Sequence, residues 1–333
     1  MVGKVVLATS FIILALVSCY QVRNQFTGPS LVVNEDKNSL ADSVFAQIEL
    51  GRFLFYENLM SRDSSLSCSS CHMQNRAFTD GEPTSIGFKG QRVSRNAPTL
   101  TNVKNRPMLL LDGVNPSLED QVLVPIAEHK EFDFHILFIA ERLKTIPKYV
   151  ALSKKAYHRV PDAYVIAHSI AAFERTLVSD NSAYDKFLKG DSLSLSESQK
   201  RGMDLFFSTL YCTECHSGSD FTNEGLTNNG LYIHYADSGR MRSSELEADR
   251  AIFRVPTLRN IMLTKPYMHN GSLATIDDVI YHYSTGGKNN PHKSEKIKPF
   301  ILTKGETEDL VQFMHALTDS SFITNEAFSD PHK

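Results

Sequence analysis

The chain has no tryptophan among its 333 residues, only five cysteines, and no surplus of charge of either sign. Without Trp, no indole can take part in binding or electron transfer anywhere in the molecule. With 35 Lys and Arg against 38 Asp and Glu, the formal net charge is −3, too even to call for nucleic acid as a partner. Hydrophobic residues at 41% and charged residues at 22% exclude wholesale disorder and provide for a globular core. The length suits two domains of ordinary size once an N-terminal signal is removed.

A membrane-spanning run is also missing. The apolar stretch Val5–Val17 is broken by Thr9 and Ser10 and follows Lys4. It is too short to cross a bilayer comfortably but suits the apolar region of a signal peptide. It ends in Leu16-Val17-Ser18-Cys19, which resembles a bacterial lipobox. On that reading residues 1–18 are a lipoprotein signal, Cys19 is acylated and anchors the protein to the membrane, and residues 19–40 form a tether. Several acyl chains on one residue anchor stably where one is marginal. The competing reading is a plain signal peptide with an incidental cysteine. Both place the folded part outside the cytoplasm, and Tyr20 after the acylated cysteine leans toward the outer membrane, facing the periplasm.

Every cysteine has a motif, so none is left for a disulfide. Cys68 and Cys71 belong to Cys-Ser-Ser-Cys-His, ending at His72; Cys212 and Cys215 belong to Cys-Thr-Glu-Cys-His, ending at His216. C-x-x-C-H is the attachment signal of a c-type haem, in which two thiols bond the haem and the adjacent His ligates its iron. At this chain's Cys and His frequencies, one chance match has a probability on the order of 0.3% and two about one in a hundred thousand. Zinc would need four converging ligands, and these motifs lie far apart. A redox C-x-x-C would not need His in both copies. Two covalent haems are therefore expected, with His72 and His216 on the irons.

The motifs belong to an internal duplication. Glu49-Leu50-Gly51-Arg52-Phe53-Leu54-Phe55 precedes the first and Lys200-Arg201-Gly202-Met203-Asp204-Leu205-Phe206-Phe207 the second, each reading as the end of an amphipathic helix. Ser196 with Gln199 forms a capping-box signature, and Leu193-Ser194-Leu195-Ser196 marks a domain boundary. Helical patterns cover Ser117–Val124, Phe134–Leu143, Ala163–Leu177 and Thr307–Leu317, and little reads as strand. The fold class predicted is mainly α: two cytochrome c-like domains, residues 41–192 and 193–333, each carrying one covalent c-type haem.

From about Ala41 to Leu317 the chain resembles the bacterial di-haem cytochrome c peroxidase family, and more closely its MauG-like branch. The strings that carry the resemblance are Glu49–Phe55, Ala77-Phe78-Thr79-Asp80-Gly81, Arg95-Asn96-Ala97-Pro98-Thr99-Leu100, Leu118-Glu119-Asp120-Gln121, Val255-Pro256-Thr257-Leu258-Arg259-Asn260 and Pro266-Tyr267-Met268-His269-Asn270-Gly271-Ser272. The resemblance implies a peroxide site at the N-terminal haem, with Gln121 and Glu131 as its catalytic pair and Pro125 in the same pocket. A carboxylate in reach of peroxide can shuttle a proton between its oxygens while an amide orients it, and burial should raise the Glu131 pKa. The bland alternative is a solvated charge within Glu128-His129-Lys130-Glu131. The resemblance also implies one calcium ion on Asn96, Thr264 and Pro266, oxygen ligands suited to a hard cation. A homodimer and a small cytochrome c or cupredoxin-like electron donor are further expectations, with hydrogen peroxide as substrate.

Three positions depart from the family. Phe88 replaces a His that caps the iron in many members; Phe cannot ligate, so an open coordination position is expected. Leu111 stands where an inter-haem Trp is usual, and a hole cannot rest on Leu, so electrons would have to tunnel or detour through a tyrosine. At the sixth ligand of the C-terminal haem, Tyr283 aligns with the MauG-like Tyr, with Met268 and His282 as alternatives. A phenolate lowers the reduction potential and a thioether raises it. His269 is a candidate neighbour of a haem propionate; the other histidines receive no role. The leading expectation is peroxide reduction by a cytochrome-c peroxidase-type enzyme. Its rivals are a MauG-like oxidase acting on a partner protein, and a non-catalytic electron carrier or redox sensor.

Overall fold

Two glycines explain the scaffold. A Cβ built on Gly51 would lie 1.8 Å from the carbonyl oxygen of Ser169, and one on Gly202 would lie 1.9 Å from that of Asp309. At each point two helices cross with backbone against backbone, which only a residue without a side chain permits. Phe173 and Phe313 cover the two crossings one turn further on, and both are fully buried.

The computed structural model describes residues 37–333; the signal, Cys19 and most of the tether fall outside them. Its helices are α1 (Lys37–Phe55), α2 (Leu118–Ala127), α3 (Ile136–Lys144), α4 (Pro147–Tyr157), α5 (Ala163–Glu174), α6 (Ala183–Leu188), α7 (Glu197–Asp204), α8 (Met241–Ser244), α9 (Ile276–Ser284), α10 (Lys304–Ala316) and α11 (Ser320–Thr324). The strand content predicted to be small is one antiparallel pair, β1 (Leu226–Thr227) on β2 (Phe253–Arg254). Among the described residues no helix is long and apolar enough to cross a membrane. Ser43–Lys333 form one compact unit, and all packing described below lies within it.

That unit holds two hydrophobic cores. The first gathers Leu50, Leu54 and Phe55 of α1, Phe78, Val122 and Ile126 of α2, and Ile166, Ile170 and Phe173 of α5. The second gathers Tyr184, Phe206, Phe221, Leu310, Phe313 and Leu317. The chain's end returns to the first core through Phe322 and Phe328, with Phe322 against Phe78 at 5.5 Å. Arg259 braces the second half, reaching both carboxylate oxygens of Asp185 at 2.9 Å and Asp220 at 3.1 Å. Asp220 also accepts from Asn102 of the first half at 2.6 Å.

Local chemistry sets the helix starts. Ser196 caps α7 in the predicted capping box with Gln199, and Thr275 with Asp278 does the same for α9. Ser117 accepts from the Asp120 amide at the start of α2. Each such cap satisfies amides that the first turn leaves without partners.

Candidate haem sites

Both Cys-x-x-Cys-His motifs sit on short 3-10 turns, Cys68–Ser70 and Cys212–Glu214, and each opens onto its own cavity. Beyond each turn a phenylalanine in the left-handed region, Phe78 at φ 60° and Phe221 at φ 51°, presents its carbonyl to the histidine. His72 Nδ1 donates to Phe78 at 2.8 Å and His216 Nδ1 to Phe221 at 3.0 Å. These bonds define the tautomer and leave each Nε2 with a free lone pair, the arrangement a metal-ligating histidine needs. Burial lowers both imidazole pKa values and keeps the rings neutral.

The four thiols are unpaired with one another. Burial raises them all, Cys71 to about 11 and Cys212 to about 12, so they are neutral and poor thiolate ligands. Among the described residues no three His, Cys, Asp or Glu converge as a metal cage. Two thiols beside a tautomer-fixed imidazole suit thioether attachment of a haem.

A second observation fits two anionic cofactors. Arg106 and Arg254 line both cavities; among the described residues Glu224 is their salt-bridge partner, 3.2 Å from Arg254 and 4.0 Å from Arg106, and Asp220, which also acts on Arg106, is paired with Arg259. Burial, then the neighbouring Arg254, pulls Arg106 down to about 9. Two buried guanidiniums with one carboxylate leave a positive surplus, which haem propionates would neutralise. Sequence reading missed both arginines; no local pattern distinguishes them from surface cations.

The first cavity is lined by Cys68, Cys71 and His72 together with Gln121, Pro125 and Glu131. Gln121 and Pro125 ride on α2, while Glu131 sits in the turn that follows, its amide bonded to the Glu128 carbonyl at 3.0 Å. The 85–93 loop holds that turn from the other side: the Phe88 amide donates to the Glu131 carbonyl at 2.9 Å. A Cβ on Gly87 would meet the Lys130 carbonyl at 1.9 Å. Phe88 itself is buried and is not among the lining residues, although Ser85, Gly87 and Val93 are. Burial, with Glu128 adding to it, raises Glu131 to about 7. A carboxyl balanced between its two forms near neutrality can both take and give a proton.

The second cavity is lined by Cys212, Cys215 and His216 and by Tyr283 and Met268. Tyr283 lies on α9, and burial raises its phenol to about 12. Met268 Sδ accepts from Asn229 Nδ2 at 3.1 Å. His282 is buried and bonds the Asn229 carbonyl through Nε2 at 3.1 Å; it does not line the cavity. One residue of helix rotation thus separates His282 from the cavity, leaving Tyr283 and Met268 as the two candidates there. Asn229, in contact with both, was not singled out from sequence.

Asn96, Thr264 and Pro266 each line the second cavity. Asn96 Nδ2 donates to the Glu82 carbonyl at 2.9 Å, which leaves its side-chain oxygen available. Leu111 lines both cavities, so the position expected to hold an aromatic bridge is aliphatic and central. His269 lines the second cavity, stacks on Phe253 at 4.3 Å and is lowered to about 4 by burial.

The paired cavities, each with two thiols and a tautomer-fixed histidine, define a protein that holds two c-type haems. Residues 45–193 match the family described as di-haem cytochrome c peroxidase. The methylamine utilization protein MauG of Methylorubrum extorquens is 31% identical over 299 residues, covering 89% of this chain and 84% of that protein. Cytochrome c551 peroxidase of Nitrosomonas europaea is 34% identical over 277 residues, covering 81% and 79%. A crystal structure of a MauG-like protein associated with microbial copper homeostasis superposes with a TM-score of 0.82 at 33% identity, covering 86% of this chain and 93% of that one. The chain belongs to the di-haem cytochrome c peroxidase family, on the side that includes MauG. Membership implies a peroxidase-type oxidoreductase with two haems, a peroxide substrate and a redox partner.

Proposed function

We propose that the protein reduces hydrogen peroxide to water in the first cavity, with electrons entering through the second. The observation that carries this reading is the meeting of Gln121 and Glu131 on the cavity of His72, with Glu131 raised to about 7 by burial. Haem, when bound, supplies the oxidation–reduction chemistry. Glu131 accepts a proton from the nearer peroxide oxygen and returns it to the farther one as the O–O bond breaks. Gln121 orients the oxygen atoms, and Pro125 and the aliphatic wall limit water. In sum, peroxide, two protons and two electrons give two waters. Phe88, unable to ligate, supports a first centre that needs no reductive activation.

On this reading His72 and His216 ligate the two irons, Cys68, Cys71, Cys212 and Cys215 hold the haems, and Tyr283 is the sixth ligand of the second. Asn96, Thr264 and Pro266 hold one calcium ion, a set of hard oxygen donors. The boundary between the two haem-bearing domains is drawn at Leu193. The protein works in the periplasm as a lipoprotein anchored through Cys19, and a small cytochrome c or cupredoxin-like protein supplies its electrons.

A second reading, oxidation of a partner protein, is favoured by Tyr283 on the second cavity and weakened by Leu111 between the two. The test is steady-state peroxide consumption with a small electron donor, compared with Glu131→Gln. Turnover by the variant at the parent's rate overturns the peroxidase reading. Peroxide consumption only when a protein substrate is added supports the second.

A further inference from the structure

The first cavity contains another acid that the peroxide chemistry leaves without a part. Glu174, the last residue of α5, lines it beside Ile170. The side chain is 5% exposed, and its Oε2 is buried without a hydrogen-bond partner. An unpartnered carboxyl in such a place loses its hydration without compensation and needs a physical reason to be there.

The internal duplication shows what the scaffold alone requires. Gly51 crosses α5 at Ser169 and Phe173, and Gly202 crosses α10 at Asp309 and Phe313. The two crossings align Ile170 with Leu310, Glu174 with Met314, and Leu177 with Leu317. Ile170 and Glu174 line the first cavity; Leu310 and Met314 line the second. Met314 is 4% exposed, so the same position is filled in the second half by a side chain with no polar demand. Packing is satisfied by a methionine there. The carboxyl in the first half answers to something else.

The charges around Glu174 narrow what that is. Arg175, the C-cap that follows it, is committed to Glu119 of α2, with N–O distances of 2.7 and 2.9 Å. Glu119 is itself a like charge. Cys68, whose neutral thiol feels Glu174 more than any other charge, lines the cavity with it, as do His72, Glu128, Lys130, Glu131, Arg106 and Arg254. Burial raises Glu174 to about 8, so the protonated form dominates near neutral pH and a positive charge beside it would favour the carboxylate.

We propose that Glu174 is the redox-linked proton site of the first centre: its carboxyl binds a proton from solvent when that centre gains an electron and releases it when the electron leaves. An added electron lowers the positive charge that an ionised carboxylate would otherwise stabilise, and in a buried site that change is weakly screened. One proton accompanies one electron, and the linkage is reciprocal: what changes proton affinity on reduction changes the potential with pH. The inference rests on the assignment of a haem to the first cavity, not on peroxide turnover.

The test is a spectroelectrochemical titration of the haem-loaded chain between pH 6 and 9, following the two centres separately. In the parent, the electron affinity of the N-terminal centre is expected to fall as pH rises, approaching tenfold per pH unit, or about 59 mV for one electron. Glu174→Gln and Glu174→Met, the latter copying Met314, are expected to flatten that slope while haem content stays at two per chain. The C-terminal centre should keep its own slope in both variants. A parent midpoint independent of pH overturns the proposal without any variant having to fold. So does a Glu174→Gln slope equal to the parent's, or a Glu131→Gln variant that alone abolishes it. A chain that turns over no peroxide but shows the Glu174-dependent slope sinks the peroxidase reading and leaves this one standing. Turnover with a flat slope does the reverse.

Discussion

The two haem cavities share a frame and differ in what hangs from it. In both, a glycine lets two helices cross backbone to backbone, a 3-10 turn presents two thiols, and a left-handed Phe carbonyl holds the histidine Nδ1. The first cavity then carries Gln121 with the acids Glu128, Glu131 and Glu174 on its lining. The second receives two candidate ligands, Tyr283 and Met268, and an apolar wall completed by Met314. Duplication preserved the attachment geometry, and side chains on α2, α5, α9 and α10 separated the chemistry. On the reading proposed above, a proton-handling site and a coordinatively filled site share one scaffold without changing how the cofactor is held.

That contrast can be broken most directly at Glu131. Glu131→Gln should lower the peroxide rate by about 10²–10⁴-fold, while Tyr283→Phe changes the spectrum of the second centre and leaves the first centre's acid–base limb in place. In the parent, the rate should rise with pH through about 7, because Glu131 must be ionised to accept the first proton and burial raises its pKa to that value. This limb is absent from the Glu131→Gln profile. An unchanged absorption spectrum in Tyr283→Phe would move the ligand assignment to Met268.

Arg259→Met should affect the second half far more than the first. Removing one partner of a buried ion pair costs about 3–5 kcal/mol, and Asp185 and Asp220 would both be stranded. Asp185 is held below the usual carboxylate range, with burial opposing Arg259 and the Ser182 bonds. Its stabilising contribution is therefore present above the unfolded value and lost as pH falls through the folded one. Thermal unfolding at pH 7 against pH 3 checks this: the gap between parent and variant should narrow in acid.

Gly51→Ala and Gly202→Ala test whether the crossings are equivalent. Each forces a methyl against a carbonyl oxygen and should destabilise by about 1–3 kcal/mol, Gly51 loosening the first centre and Gly202 the second. The smallest effect is expected at the caps. Ser117→Ala and Thr275→Ala should each cost about 1 kcal/mol, fraying the helices that carry Gln121 and Tyr283 respectively. Hydrogen exchange in α2 and α9 would register each one.

Much of the frame was legible beforehand because it depends on short-range patterns. The Cys-x-x-Cys-His strings, the capping box at Ser196 and the helices around Gln121, Phe173 and Leu310 involve residues within a turn or two of one another. The ten-residue spacing of Gln121 and Glu131 was equally visible, though only as a resemblance until both lined one cavity. His282 against Tyr283 was not decidable, since adjacent residues on a helix differ by about 100° of rotation and the helix's docking sets which faces the cavity. Glu174 went unread for another reason. Phe173-Glu174 and Phe313-Met314 look unrelated until Gly51 and Gly202 show that they occupy the same place in two crossings.

The sequence alone determined the covalent chemistry: which thiols and histidines could hold a cofactor, and that two copies of one attachment unit lie along the chain. Only the tertiary structure decided where charge would be sheltered. It placed Arg106 and Arg254 on both cavities, buried Glu174 without a partner and turned His282 away from the second site. Attachment needs neighbours in the chain, whereas burial and electrostatics depend on segments more than a hundred residues apart meeting in a medium that screens them poorly.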